Sequence, residues 1–151
     1  MKKYNIANYI RYKEDVKALK PKGEVWDYFD REEVIKAYLP LVENIARKFS
    51  TSDQASGILS IMDLIQEGSI GLVLAVDRLD WSVLEKTEDI EKTLKSFFGK
   101  RIKGAIRRRI DIHRGNIRIP EHKLGEIRKD GGKNEKMVQM FFNSVFLSID
   151  A

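Results

Sequence analysis

Between Lys92 and Arg118 stand ten Lys or Arg against a single acid, Asp111, with Phe97 and Phe98 set among them. Ten positive charges less one leave this stretch at +9, and because the whole chain carries +5, everything else sums to −4. Solvated helix surfaces intersperse both signs, so a one-signed element on an acidic body points to a polyanion, and nucleic acid leads the candidates. Covalent chemistry has little to work with. Ser96, Asp111 and His113 are triad residue types, but their separations scatter them around one helix. With no cysteine and two histidines, neither a disulfide framework nor a metal site is expected, and no cofactor is implied. Gly68-Ser-Ile-Gly71 has the wrong spacing for a phosphate loop or a dinucleotide fingerprint. The expectation is a binding protein without enzymatic activity.

A second polar set, Asp63, Gln66 and Glu67, lies in the stretch Ser60 to Trp81, which reads as a helix. Ile61, Ile65, Leu72, Ala75, Val76 and Leu79 gather on one side of a 3.6-residue period, and the polar residues lie elsewhere. Two interior glycines, Gly68 and Gly71, each cost about 1 kcal/mol relative to alanine. Their presence predicts a neighbouring helix packed against bare backbone. Ser60 fits as N-cap with Asp63 at the third helical position, which gives Asp63 a structural duty beside any contact.

The elements that must position these sets follow from pattern. Residues 1–29 form an N-terminal segment, with a short helix around Ile6 to Lys13. Asp30 with Glu33 opens a helix to Phe49, with Val34, Tyr38, Leu41, Ile45 and Phe49 on one face. Pro40 either kinks it or starts a second helix at Leu39. Thr51 to Gly57 is a loop, and Trp81 to Lys86 a polar connection. Thr87 caps the next helix, which runs to about Ile112 on a core stripe of Leu94, Phe98, Ile102, Ala105, Ile106 and Ile110. Adjacent positions point about 100° apart, so Phe98 is placed inside and Phe97 at the surface. Gly115-Asn116 ends it, and Pro120 opens a short helix through Lys129. Residues 134–151 are too apolar for a solvated tail and must dock, as a helix to about Ser144 and extended afterwards, or alternatively with a β-strand over Phe141 to Ile149. No apolar signal core follows the first residues and no run approaches a membrane span. A soluble protein of a reducing cytoplasm is expected, with no membrane partner.

Asp63-Leu-Ile-Gln-Glu-Gly-Ser-Ile-Gly-Leu-Val-Leu-Ala-Val-Asp-Arg-Leu resembles the second conserved region of the sigma-70 transcription initiation factors. Two further stretches agree in order: Leu39-Pro-Leu-Val-Glu-Asn-Ile-Ala-Arg-Lys-Phe upstream, and Ile102-Lys-Gly-Ala-Ile-Arg-Arg-Arg-Ile with Ile117-Arg-Ile-Pro-Glu-His downstream. The resemblance covers roughly 31–122 and implies an all-α bundle of the sigma region 2 type, over 30–118, followed by a region 3-like start and apolar tail over 119–151 that is flexible or extended. It implies docking on the clamp coiled coil of the β′ subunit of core bacterial RNA polymerase, and recognition and melting of the promoter −10 element. By position, Asp63, Gln66, Glu67, Ser69 and Val73 would face polymerase. Lys95, Phe97, Lys100, Arg101, Lys103, Arg107, Arg108, Arg114 and Arg118 would face promoter DNA, with Phe97 stacking on a flipped non-template base.

This chain departs from the family pattern where many members carry a tryptophan pair at the upstream edge of the bubble. It has Lys100 and Arg101 there, Gly104 in place of a glutamine, and Arg107 in place of a small polar residue. Weaker wedging, stronger phosphate attraction and a different promoter sequence are expected. Nothing resembles the helix-turn-helix that reads the −35 element, so the chain ends naturally or is cut before it, and a phage, mobile-element or alternative bacterial factor is the implied source. The apolar C-terminal segment would then meet a co-activator or clamp protein. The rival readings are a DNA-binding regulator that never recruits polymerase, and a polymerase-binding inhibitor.

Overall fold

The computed structural model describes residues 3–19, 22–49, 59–113, 120–131 and 133–139. Among them every regular element is a helix, apart from an isolated parallel bridge between Tyr4 and Phe29. A 3-10 turn at Ile6–Asn8 precedes α1 (Lys13–Leu19), α2 (Val25–Tyr28), α3 (Arg31–Phe49), α4 (Ile61–Asp77), α5 (Trp81–Glu85), α6 (Ile90–His113) and α7 (Glu121–Asp130). The fold class is all-α, as the sequence implies.

Helix α4 lies between α3 and α6 and organises the bundle. It starts at a reciprocal cap: Asp63 N donates to Ser60 Oγ at 3.3 Å, and Ser60 N donates to Asp63 Oδ2 at 2.9 Å. Ser60 Oγ also donates to Asp63 Oδ2 at 3.0 Å, and the two donations to the carboxylate, first from the Ser60 backbone and then from its hydroxyl, hold the Asp63 carboxyl below its ordinary value of 3.8. A carboxyl depressed in the folded state favours folding above its ordinary value and loses that contribution as pH falls through the lower folded value. Asp63→Asn should therefore flatten the acid limb of a melting-temperature profile below about pH 4.

The two glycines face neighbours at close range. A Cβ on Gly68 would stand 2.7 Å from Val42 Cγ1 on α3 and 3.1 Å from Ile106 Cδ1 on α6; one on Gly71 would stand 2.7 Å from Ala105 Cβ and 3.4 Å from the Arg101 carbonyl oxygen. Close helix packing is thus the reason for both. Gly104 is the contrast: nothing lies within 4 Å of its added Cβ. Gly104→Ala should stabilise the chain by up to about 1 kcal/mol, read as a higher melting temperature.

Burial on α4 is wider than a single stripe, because two helices flank it. Leu64, outside the expected core stripe, is fully buried with Leu72, Ala75 and Val76, whereas Ile61, at the first turn, is 36% exposed. The α6 stripe runs as expected through Leu94, Phe98, Ile102, Ile106 and Ile110, all buried, while Ala105, expected in the same stripe, is half-buried against Gly71. Each large side chain so buried contributes about 1.5–3 kcal/mol. Helix α3 passes through Pro40 as one element, with Asp30 Oδ1 accepting from Glu32 N and Glu33 N at its start. Residues 36, 37, 39 and 40 are exposed, so the carbonyl that Pro40 leaves without a donor lies on the solvent side of the helix.

Three local readings are corrected. The helix expected to reach Trp81 ends at Asp77, and Trp81–Glu85 is a short helix rather than a polar connection, because Asp80 caps it by accepting from Val83 N at 3.3 Å and Leu84 is fully buried beneath it. Asp89, not Thr87, caps α6, accepting from Lys92 N at 3.1 Å; the buried Thr87 hydroxyl instead donates to the Asp89 carbonyl at 2.8 Å. The N-terminal segment does not form a helix around Ile6 to Lys13. It forms a 3-10 turn and α1, and α2 follows, locked by Trp26 Nε1 donating to Val76 O at 3.1 Å, Trp81 Nε1 donating to Gly23 O at 3.0 Å, and an Arg31–Asp77 ion pair at 2.7 Å. Helix α7 ends at Gly131, whose φ of 63° is the left-handed geometry of a helix stop. The expected loop at 51–57, the helix stop at 115–116 and the tail from 140 onward lie outside the described residues.

Candidate functional site

Helix α6 turns one face to the core and another to solvent, and its cations divide by what holds them. Lys95 pairs with Glu91 at 2.7 Å, Arg108 with Glu121 at 3.7 Å and Arg109 with Glu67 at 3.2 Å. Lys100, Lys103 and Arg107 are exposed and have no acidic partner among the described residues. Positions 96, 100, 103 and 107 lie along one side of the helix, which therefore carries the uncompensated charge. Arg114 and Arg118 lie outside the described residues.

Phe98 is fully buried and Phe97 is half-buried beside it, ring centroids 5.6 Å apart at 72°. The Arg101 guanidinium carbon stands 3.6 Å over the Phe97 ring centroid. Asp111 is committed elsewhere: its side chain is 4% exposed and holds Arg128, which pins α7 to the end of α6. No group of acids and histidines that could hold a metal ion occurs among the described residues, and none of their helices is long and apolar enough to cross a membrane.

Of the α4 residues expected to face polymerase, Asp63, Gln66, Glu67, Ser69 and Val73, Gln66 alone is exposed. Asp63 caps its own helix, Ser69 Oγ donates to Ile65 O at 2.7 Å, Glu67 is tied to Arg109 of α6, and Val73 is half-buried. The sequence reading missed the apolar part of this face. Met62, Ile70 and Leu74 are 59%, 54% and 52% exposed, and with Gln66 they form a ridge at spacing of four along the helix. The signal was available: all three are large apolar residues off the core stripe of their helix. The Glu67–Arg109 pair and the close packing at Gly68 and Gly71 join the helix that carries the apolar ridge to the one that carries the cationic stripe.

Residues 34–114 match the model of sigma-70 region 2. That span is more than half of the 151-residue chain. The chain belongs to the sigma-70 family. A relative, RNA polymerase sigma factor RpoD of Neisseria gonorrhoeae, is 36% identical over 99 residues, which make up 66% of this chain and 14% of that protein. The region 2 match takes in α4, α5 and α6 entire and α3 from Val34 onward. Both the exposed ridge and the unpaired cations therefore fall within the sigma-70 segment. The N-terminal turn, α1 and α2, which brace the far end of α4 through Trp26 and Trp81, fall outside it.

Proposed function

We propose that this chain is a non-catalytic transcription initiation factor that binds core bacterial RNA polymerase through α4 and recognises and melts promoter DNA through α6. The observation that carries the reading is the placement, within a sigma-70 region 2 segment, of an apolar ridge on α4 beside a one-signed cationic stripe on α6. The ridge of Met62, Gln66, Ile70 and Leu74 suits a helical partner, because ridges spaced by four residues pack into the grooves of a facing helix. The coiled coil of the β′ clamp has that shape. Val73 and Ser69 flank the contact, while Asp63 and Glu67 shape the helix and its link to α6.

On α6, Lys100, Lys103 and Arg107 meet phosphates, with Lys95 and Arg108 exchanging their carboxylate partners for the same purpose. Exposed ion pairs of this kind are worth about 1 kcal/mol or less, so a polyanion displaces them readily. Reversing charge in Lys103→Glu with Arg107→Glu should weaken DNA binding across sequences. The slope of log affinity against log salt should fall by about 1 for each phosphate no longer neutralised.

Titrating labelled full chain with core RNA polymerase provides the test. Saturable binding that a housekeeping sigma factor displaces is expected, because both would occupy one clamp surface. Binding indifferent to excess housekeeping factor would place the contact elsewhere, and absence of binding would leave the plain DNA-binding regulator.

A further inference from the structure

Phe97 does not offer a bare ring to an incoming base. It packs edge-on to Phe98 and against the core, and the Arg101 guanidinium carbon lies 3.6 Å from its centroid. A second contact fixes that placement: Arg101 Nη1 donates to the Phe97 carbonyl oxygen at 3.1 Å. The separation is that of an occupied stack, with no room for a base between ring and guanidinium. Arg101 itself remains partly open to solvent.

We infer that Arg101, carried on Phe97, is the platform on which an unpaired base stacks, so that the recognition unit is a three-layer stack of ring, guanidinium and base. The inference rests on the proposed contact of α6 with DNA. A guanidinium suits the middle layer because it is planar, delocalised and weakly hydrated, and it stacks on aromatic rings and on bases alike. Lysine has the charge without the plane. The platform favours unpaired bases, since a base within a duplex already has both faces covered by its neighbours. Lys100 and Lys103, one residue before and two after Arg101, supply charge for the adjoining phosphates.

The test separates base stacking from phosphate attraction by comparing two single strands of equal length and charge, a short oligothymidylate and a fully abasic strand, binding to the full chain. Wild type should prefer the base-bearing strand about tenfold. Arg101→Lys should abolish the preference while leaving abasic-strand affinity within about twofold, because the phosphate term depends on charge. A preference retained in Arg101→Lys would overturn the platform, showing that Arg101 acts by charge alone. A preference increased in Arg101→Ala would overturn it differently, making Arg101 a cover over Phe97. Lys103→Glu with Arg107→Glu should weaken both strands equally; if it changes neither, the DNA contact of α6 fails, a result distinct from failure of the stack.

Discussion

Ile70→Asp combined with Leu74→Asp is expected to lower affinity for core RNA polymerase by more than about 100-fold while the chain stays folded. Both side chains are about half exposed, 54% and 52%, so their replacement removes little of the chain's own packing, and surface changes of this kind cost about 0.5 kcal/mol or less each. At a docked interface the arithmetic differs. Two apolar side chains lose the contribution of covering their exposed halves, about 1 kcal/mol apiece, and two carboxylates must be desolvated without partners, several kcal/mol more. Every 1.4 kcal/mol is about tenfold in affinity. Gln66→Ala, which removes one polar group from the same ridge, should cost far less. Equal affinity of the double variant and wild type, measured by competition against labelled chain, would show that the ridge is not docked.

Gly71→Val is expected to cost about 3 kcal/mol of folding stability. Even the first added carbon would stand 2.7 Å from Ala105 Cβ and 3.4 Å from the Arg101 carbonyl oxygen. The first neighbour is a methyl fixed to the helix and the second is backbone, so neither can rotate away. Overpacking a close contact costs about 1–3 kcal/mol, and valine adds two methyl groups to that first carbon. The helix propensity gained on leaving glycine offsets only part, a few tenths to about 1 kcal/mol. At about 2–4 °C per kcal/mol for a chain of this size, melting should fall by roughly 6–12 °C. Polymerase binding should fall with it, since α4 and α6 can no longer share one scaffold. An unchanged melting temperature would mean that the two helices do not approach as described.

The contrast between Gly71 and Gly104 marks what is legible in the sequence. Paired glycines inside an otherwise apolar helix point to close packing because nothing else explains their propensity cost, and the caps at Ser60 and Asp30 are readable because capping is local. So is the division of Phe97 from Phe98, which follows from helical geometry. What escapes is set by tertiary structure. The Glu67–Arg109 pair joins residues far apart in sequence, so Glu67 reads as a free contact residue. Leu64 escapes because burial by two neighbours widens the apolar arc beyond the stripe that one neighbour requires. Trp81 reads as a helix end because its role depends on Gly23 and Phe29, brought to it by the fold. The ridge of Met62, Ile70 and Leu74 is legible in principle, yet the polar residues interleaved with it carry the more obvious signal.

Run-off transcription with core bacterial RNA polymerase on a library of genomic fragments, with and without the chain, tests most directly whether it is an initiation factor. Discrete transcript starts that appear only when the chain is present, and that vanish with Ile70→Asp and Leu74→Asp, are the predicted result. Transcripts indistinguishable from those of core polymerase alone, with a properly folded chain present in excess, would contradict it.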